Sequence, residues 1–189
     1  MTDRADPARE LQYVELHCAS NFSFLRGASH PEELVERALA LEYAGLALTD
    51  ECSFAGNVRA HLALAELRED DAAAREFKLI HGTEIQLHDG PRLVLLAQTR
   101  SGYGNLSQLV TLARRQAAKG SYKLTRADLG AHAHWLQDTL ALLIPTKSGS
   151  GTDFAKPSKK RTEKSASDPV LLDPDALDAR WLRELMPGR

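Results

Sequence analysis

Residues 13–29, YVELHCASNFSFLRGAS, set a β-prone run, Tyr13-Val14-Glu15-Leu16-His17, directly against a polar turn, Ala19-Ser20-Asn21. Aromatic and β-branched side chains suit a pleated, half-buried surface, so the run is predicted to be a strand that ends at His17 and Cys18. A histidine there is either a strand-end residue that found a local hydrogen bond or the first ligand of a site built at the strand tips. Working outward, strand and helix signals alternate. Ser29 and Glu32 are spaced as a capping box around Pro31. Leu34, Val35, Ala38 and Leu41 then recur at helical spacing, with Gly45 as the stop. LALTD (46–50) has the look of a buried parallel strand. A second helix is predicted over 55–69, with Val58, Leu62 and Ala65 on one face. FKLIHGTEIQL (77–87) and PRLVLLAQ (91–98) read as strands joined by His88-Asp89-Gly90, and Asp-Gly between apolar runs is a hairpin signal.

A third helix is predicted over 105–118, with Leu106, Leu109, Val110 and Ala113 facing inward and the glycines of SGYGNLSQ (101–108) turning the chain into it. LTRADLGAHAHWL (124–136) reads as a short helix capped by Thr125, LALLIP (140–145) as another buried strand, and 174–186 as a last helix. Residues 1–12 read as a disordered polar leader, 13–145 as one α/β domain, and 146–169, rich in Ser, Lys, Gly and Pro, as a flexible basic insertion. The remaining 170–189 end on a helix with no strand after it. Repeated strand-helix pairs with one hairpin imply α/β architecture, mostly parallel strands, and an incomplete barrel.

The chain of 189 residues is long enough for one core, and its 43% apolar and 26% charged composition is that of a globular protein. A net charge of −2 supplies no bulk attraction to nucleic acid or anionic membrane. No apolar run approaches the roughly 20 residues a membrane helix needs. Two cysteines make no disulfide framework, and with no export signal in the leader a cytoplasmic location is expected.

Strand tips are where α/β folds keep their chemistry, and here they carry His17, Asp50, Glu51 and Glu84. One imidazole with several carboxylates suits zinc or manganese, ions that activate water against a phosphate ester. The same residues also end ordinary strands, satisfied by backbone groups. Other features are weaker. His132 and His134 point about 200° apart on a helix. Cys18 faces away from His17 on a strand, and both cysteines suit small core positions. The SGYG glycines lack a phosphate-loop lysine. Trp135 and Trp181 are expected to pack against the sheet.

Four blocks carry a resemblance: LHCASNFSFLRGAS (16–29), LALTDECSFAGNVRAH (46–61), KLIHGTEIQL (78–87) and RLVLLAQTRSGYGNLSQLVTLARR (92–115). In this order they resemble the N-terminal polymerase-and-histidinol-phosphatase (PHP) domain of bacterial DNA polymerase III alpha subunits, with wording closest to the error-prone branch. The resemblance implies a distorted seven-stranded α/β barrel holding up to three divalent ions at its strand ends. In the usual pattern, His-x-His, Thr-Asp-His and a later Glu supply ligands. His17, Asp50 and Glu84 match that pattern, but Ala19 stands where the second histidine would be. Glu51 replaces the histidine after the aspartate, and Arg92 occupies a position often taken by another. Neither a methyl group nor a guanidinium binds a metal. The later Asp-x-His block is expected beyond Arg189. The resemblance thus implies a degenerate site and a non-catalytic scaffold, part of a polymerase that synthesises DNA across damage. Its partners would be the rest of that polymerase, the sliding clamp or mutagenesis accessory proteins, with DNA reached only through other domains. The alternative is a free-standing metal-dependent phosphoesterase with zinc or manganese at a reduced site.

Overall fold

A computed structural model describes residues 12–145 and 174–187. The expected leader, but for Gln12, and the expected insertion over 146–169 lie outside the described residues. Five strands form one curled, half-barrel sheet: β1 (Val14–Cys18), β2 (Gly45–Leu48), β3 (Lys78–Gln86), β4 (Arg92–Ala97) and β5 (Thr139–Ile144), in that spatial order. β1, β2 and β3 pair in parallel, whereas β4 runs antiparallel to both β3 and β5. Four strands therefore point one way and β4 alone is reversed, so the hairpin is followed by a second antiparallel pair.

The register fixes where the strands end. Cys18 stands opposite Leu48, and Leu48 opposite His81. Asp50 and Glu51 thus leave β2 beside the tip of β1, and Glu51 forms an isolated parallel bridge with Glu84, further along β3. The carboxyl ends of three strands meet at one rim.

Among the described residues, six α-helices flank the sheet. α1 (Pro31–Ala40) starts one residue later than expected: His30 is its cap, and the His30 amide donates to the Glu33 carboxylate at 2.8 Å. Pro31 decides this, because its preset φ and missing N–H suit the first helical position. The stop is made by Glu42 in the left-handed region (φ 57°), not by Gly45. Gly45 instead opens β2, where a Cβ would lie 2.6 Å from the Lys78 carbonyl oxygen. α2 (Ala55–Asp70) buries Gly56, Asn57, Ala60 and Leu64, while Val58 and Leu62 face solvent, so the expected face is the wrong one. Small residues win because the helix packs closely: a Cβ on Gly56 would meet Asp50 Oδ2 at 2.6 Å. A short α3 (Ala72–Glu76), capped by Asp71, precedes β3.

α4 (Arg100–Arg115) begins five residues ahead of the expected start, capped by Thr99 Oγ1, which accepts from the Gly102 amide at 3.1 Å. Gly102 and Gly104 therefore sit inside its first turns, and Gly102 is needed because a Cβ would overlap the Asp138 carbonyl. α5 (Arg126–Ala131) has the expected Thr125 cap and runs into a 3-10 turn, Ala133–Leu136; α6 (Pro174–Leu185) completes the described chain. The main core packs Ile85, Leu87, Leu93 and Leu95 against Leu106, Leu109 and Ala113 of α4, with Trp135 and Trp181 partly buried on it. A second cluster joins β2 to α1 and α2 through Val35, Leu46, Leu48, Ala60 and Leu64.

Candidate functional site

The β1–α1 loop and the tips of β1, β2 and β3 build the site. Asp50, fully buried, organises the loop. Its carboxylate accepts from the Ser20 amide at 2.8 Å, the Ser20 hydroxyl at 2.7 Å and the Ser23 hydroxyl at 2.7 Å. Ser23 Oγ in turn accepts from the Glu51 amide at 3.0 Å, tying the loop to the exit of β2. Wound in this way, the loop turns through Leu25 (φ 63°) and delivers Arg26 across the strand tips.

Arg26 meets Glu84, a carboxylate only 1% exposed. Its two terminal nitrogens donate to the two Glu84 oxygens at 2.5 and 2.9 Å, a bidentate fork, and Nη1 also reaches Glu51 Oε2 at 2.9 Å. His17 Nε2 donates to the same Glu84 carboxylate at 2.6 Å, and Arg92 Nε lies 3.4 Å away. Glu51 accepts from the Tyr122 hydroxyl at 2.8 Å, and that hydroxyl accepts from the Gln86 amide at 3.0 Å. Arg114 closes the rim, donating to the carbonyls of Cys52 and Glu51.

Burial alone pushes the Glu84 carboxyl up. The hydrogen bonds from Arg26 and His17, with the charges of Arg26 and Arg92, outweigh it and hold the group below the usual glutamate range. The Glu84 hydrogen bond, partly opposed by burial, strengthens the hold of Arg26 on its proton. Burial and the neighbouring Glu51 keep Tyr122 protonated. Burial lifts the Cys18 and Cys52 thiols to about 11, so neither is a thiolate at neutral pH.

All four expected residues come together at this rim: His17 on Glu84, Glu51 linked to Glu84 through Arg26, and Asp50 beside them, holding the loop. They do not converge on a common ion position. A zinc or manganese ion needs several nitrogen or oxygen donors pointing at one centre. Here both Glu84 oxygens face a guanidinium, Asp50 is turned toward serine donors, and Glu51 is shared between Arg26 and Tyr122. Among the described residues, no group of three or more His, Cys, Asp and Glu is arranged to hold a metal. The residues as placed do not fit the ion that the spacing suggested. His132 and His134 lie at the end of α5, with their rings 6.3 Å apart and His132 stacked on Trp135.

Arg26, Ser20, Ser23 and Tyr122 were not singled out from the sequence. The one signal for Arg26 is charge: Glu51 stands beside the buried Glu84, and two neighbouring carboxylates require a cation. Nothing in the spacing of the serines distinguishes them from an ordinary turn.

The chain is 51% identical over 189 residues to an error-prone DNA polymerase of Azoarcus sp. strain BH72, covering 90% of this chain and 18% of that protein. It is 56% identical over 144 residues to an error-prone DNA polymerase of Dechloromonas aromatica, covering 75% and 13%. The chain thus spans less than a fifth of the length of these curated relatives. Among solved structures, a protein from Bifidobacterium adolescentis assigned as a metal-dependent phosphoesterase aligns with 67% of this chain and 51% of its own, at 20% identity and a TM-score of 0.43. The family model described as "PHP domain" matches residues 15–168, a span that holds the sheet but for Val14 and all four rim residues, and the chain belongs to that family.

Proposed function

We propose that this chain is the PHP portion of an error-prone DNA polymerase and serves there as a non-catalytic scaffold whose degenerate metal site is closed by a fixed cation, Arg26. One observation carries the reading: the Arg26 guanidinium spans Glu84 and Glu51 with three hydrogen bonds at the strand tips. A guanidinium supplies the positive charge these carboxylates need, and it stays charged at every physiological pH. It offers no open coordination position at which water could be activated. His17, Asp50, Glu51 and Glu84 then hold a loop in place instead of an ion. DNA synthesis across damage, in the cytoplasm, belongs to the rest of the polymerase. That remainder, the sliding clamp and mutagenesis accessory proteins are the partners of the scaffold. No helix among the described residues is long and apolar enough to cross a membrane.

Metal analysis of the purified chain tests this reading, combined with thermal unfolding and phosphomonoester hydrolysis in added zinc or manganese. Substoichiometric metal, a melting midpoint indifferent to EDTA and no turnover are expected. Stoichiometric zinc or manganese whose removal lowers the midpoint would overturn it, as would metal-dependent hydrolysis lost in Asp50→Asn.

A further inference from the structure

A second concave site lies away from the Arg26 centre. β4 pairs with β3 only from Gly82 onward, so the Lys78–His81 stretch of β3 has β2 on one side and, among the described residues, no strand on the other. Where β4 leaves the sheet to become α4, a cavity of about 950 Å3 opens between that stretch, the first turns of α2 and the start of α4. Its size falls in the range of small-molecule sites.

Three features of this cavity point to one kind of ligand. Its lining includes Lys78, Arg100, His61 and His81 but no aspartate or glutamate. Neither Lys78 nor Arg100 has an ion-pair partner among the described residues. The first turn of the 16-residue α4 faces it, and of the early amides only that of Gly102 is taken by the Thr99 cap. Arg100 occupies the first helical position and no acidic residue accompanies it. For the helix alone this is the wrong sign, since a cation there opposes the macrodipole. An anion seated between Arg100 and the free amides would reverse that penalty. Lastly, the Asn57 side chain lines the cavity and is 98% buried, being 2% exposed. Its Oδ1 accepts from His81 Nδ1 at 2.9 Å, while its Nδ2 has no hydrogen-bond partner. A buried amide donor left unpaired costs free energy unless something accepts from it.

We infer that this cavity binds a phosphomonoester of mononucleotide size, its phosphate at the α4 amides between Lys78 and Arg100 and its apolar body along Tyr103, Val58 and Ile80. Tyr103 offers the aromatic surface, already edge-on to the His81 ring at 5.6 Å. The site shares no residue with the Arg26 centre, so it does not depend on the reading of that centre.

Amide chemical-shift titration of the whole chain tests the inference, with deoxyadenosine monophosphate, inorganic phosphate and deoxyadenosine as probes. Saturable shifts are expected at Arg100, Ser101 and His81 with the nucleotide, with weaker binding of phosphate and of the nucleoside. Arg100→Gln and Lys78→Gln should each weaken nucleotide binding roughly three- to tenfold. Both side chains are exposed, so both variants should fold, and Arg100→Gln should melt no lower than the parent. No saturable shift at these amides, or unchanged affinity in both variants, would overturn the site. Inorganic phosphate binding as tightly as the nucleotide would overturn the role of the apolar wall.

Discussion

Replacing Arg26 by methionine removes the charge at the strand tips while keeping much of the side chain's length and apolar stem. Three hydrogen bonds to carboxylates disappear, and bonds to charged groups are each worth about 1.5–3 kcal/mol. Their plain sum overstates the loss. The Arg26 side chain is 34% exposed, so water screens part of its charge. Glu84 also keeps His17 at 2.6 Å and Arg92 at 3.4 Å. Breaking a buried pair from one side costs about 3–5 kcal/mol, and those remaining partners bring the expectation down to about 2–3 kcal/mol. In a domain of this size each kcal/mol moves the melting midpoint by about 2–4 °C, so a fall of roughly 4–12 °C is expected. Urea denaturation at pH 7 gives the free energy directly. The companion Glu84→Gln leaves a guanidinium that water and Glu51 can still solvate, so it should cost less, about 1–2 kcal/mol. The double variant no longer buries a carboxylate that has lost its bidentate partner. It should be less destabilised than the two singles added together, by at least about 1 kcal/mol. A loss below about 0.5 kcal/mol in Arg26→Met, or strict additivity in the double variant, would refute the ion-pair account.

Acid titration should show the same carboxylate. Because Glu84 is held below its ordinary value in the fold, its contribution is present above the unfolded glutamate pKa of about 4.3. It is lost as pH falls through the lower folded value, so urea midpoints between pH 6 and 3 should fall more steeply in the parent than in Glu84→Gln. Asp50→Asn replaces one of the two oxygens that accept from three donors in Ser20 and Ser23, and sets an NH2 group against a donor. It should cost about 2–3 kcal/mol and accelerate hydrogen exchange at the Arg26 and Gly27 amides, which bond back to the Ser23 carbonyl. Tyr122→Phe strips the donor from Glu51 and the acceptor from the Gln86 amide; a loss of about 1–2 kcal/mol is expected in denaturation, with faster exchange at Gln86. Two glycines of α4 should respond with opposite signs. Gly104→Ala meets nothing within 4 Å and should stabilise by about 0.5–1 kcal/mol, whereas Gly102→Ala should destabilise because its Cβ would overlap the Asp138 carbonyl.

Long-period patterns were readable in the sequence where one face of an element is large and apolar. The spacing of Leu106, Leu109 and Ala113 marked the buried face of α4, and all three are fully buried. The alternating strands and the Asp89-Gly90 turn marked the β3–β4 hairpin. α2 misled for a physical reason: its buried face is made of Gly56, Ala60 and Leu64, chosen for close approach, and its bulkier Val58 and Leu62 are 59% and 56% exposed. A pattern of hydrophobicity cannot register a contact made by the absence of a side chain. The start of α4 was hidden likewise, because Gly102 reads as a turn residue unless the approach of Asp138 is known.

At the rim, position was legible and occupancy was not. Strand-end placement follows from topology, so His17, Asp50, Glu51 and Glu84 could be located from their strands alone, but what lies between them depends on a loop distant in sequence. Ala19 offers no donor at this rim, and Glu51 adds a second carboxylate beside the buried Glu84. Such a pocket has two ways to balance: draw in an ion with fewer ligands, or recruit a cation from the chain. The serines at 20 and 23 favour the second, because by pinning the loop to Asp50 they hold the guanidinium over the carboxylates. The loop is then held by charge at its base, through the Arg26 guanidinium on the Glu84 and Glu51 oxygens. On that view Asp50 and Arg26 are coupled through the loop, not through contact. Ala19→His combined with Glu51→His should therefore not confer metal binding unless Arg26 is removed as well.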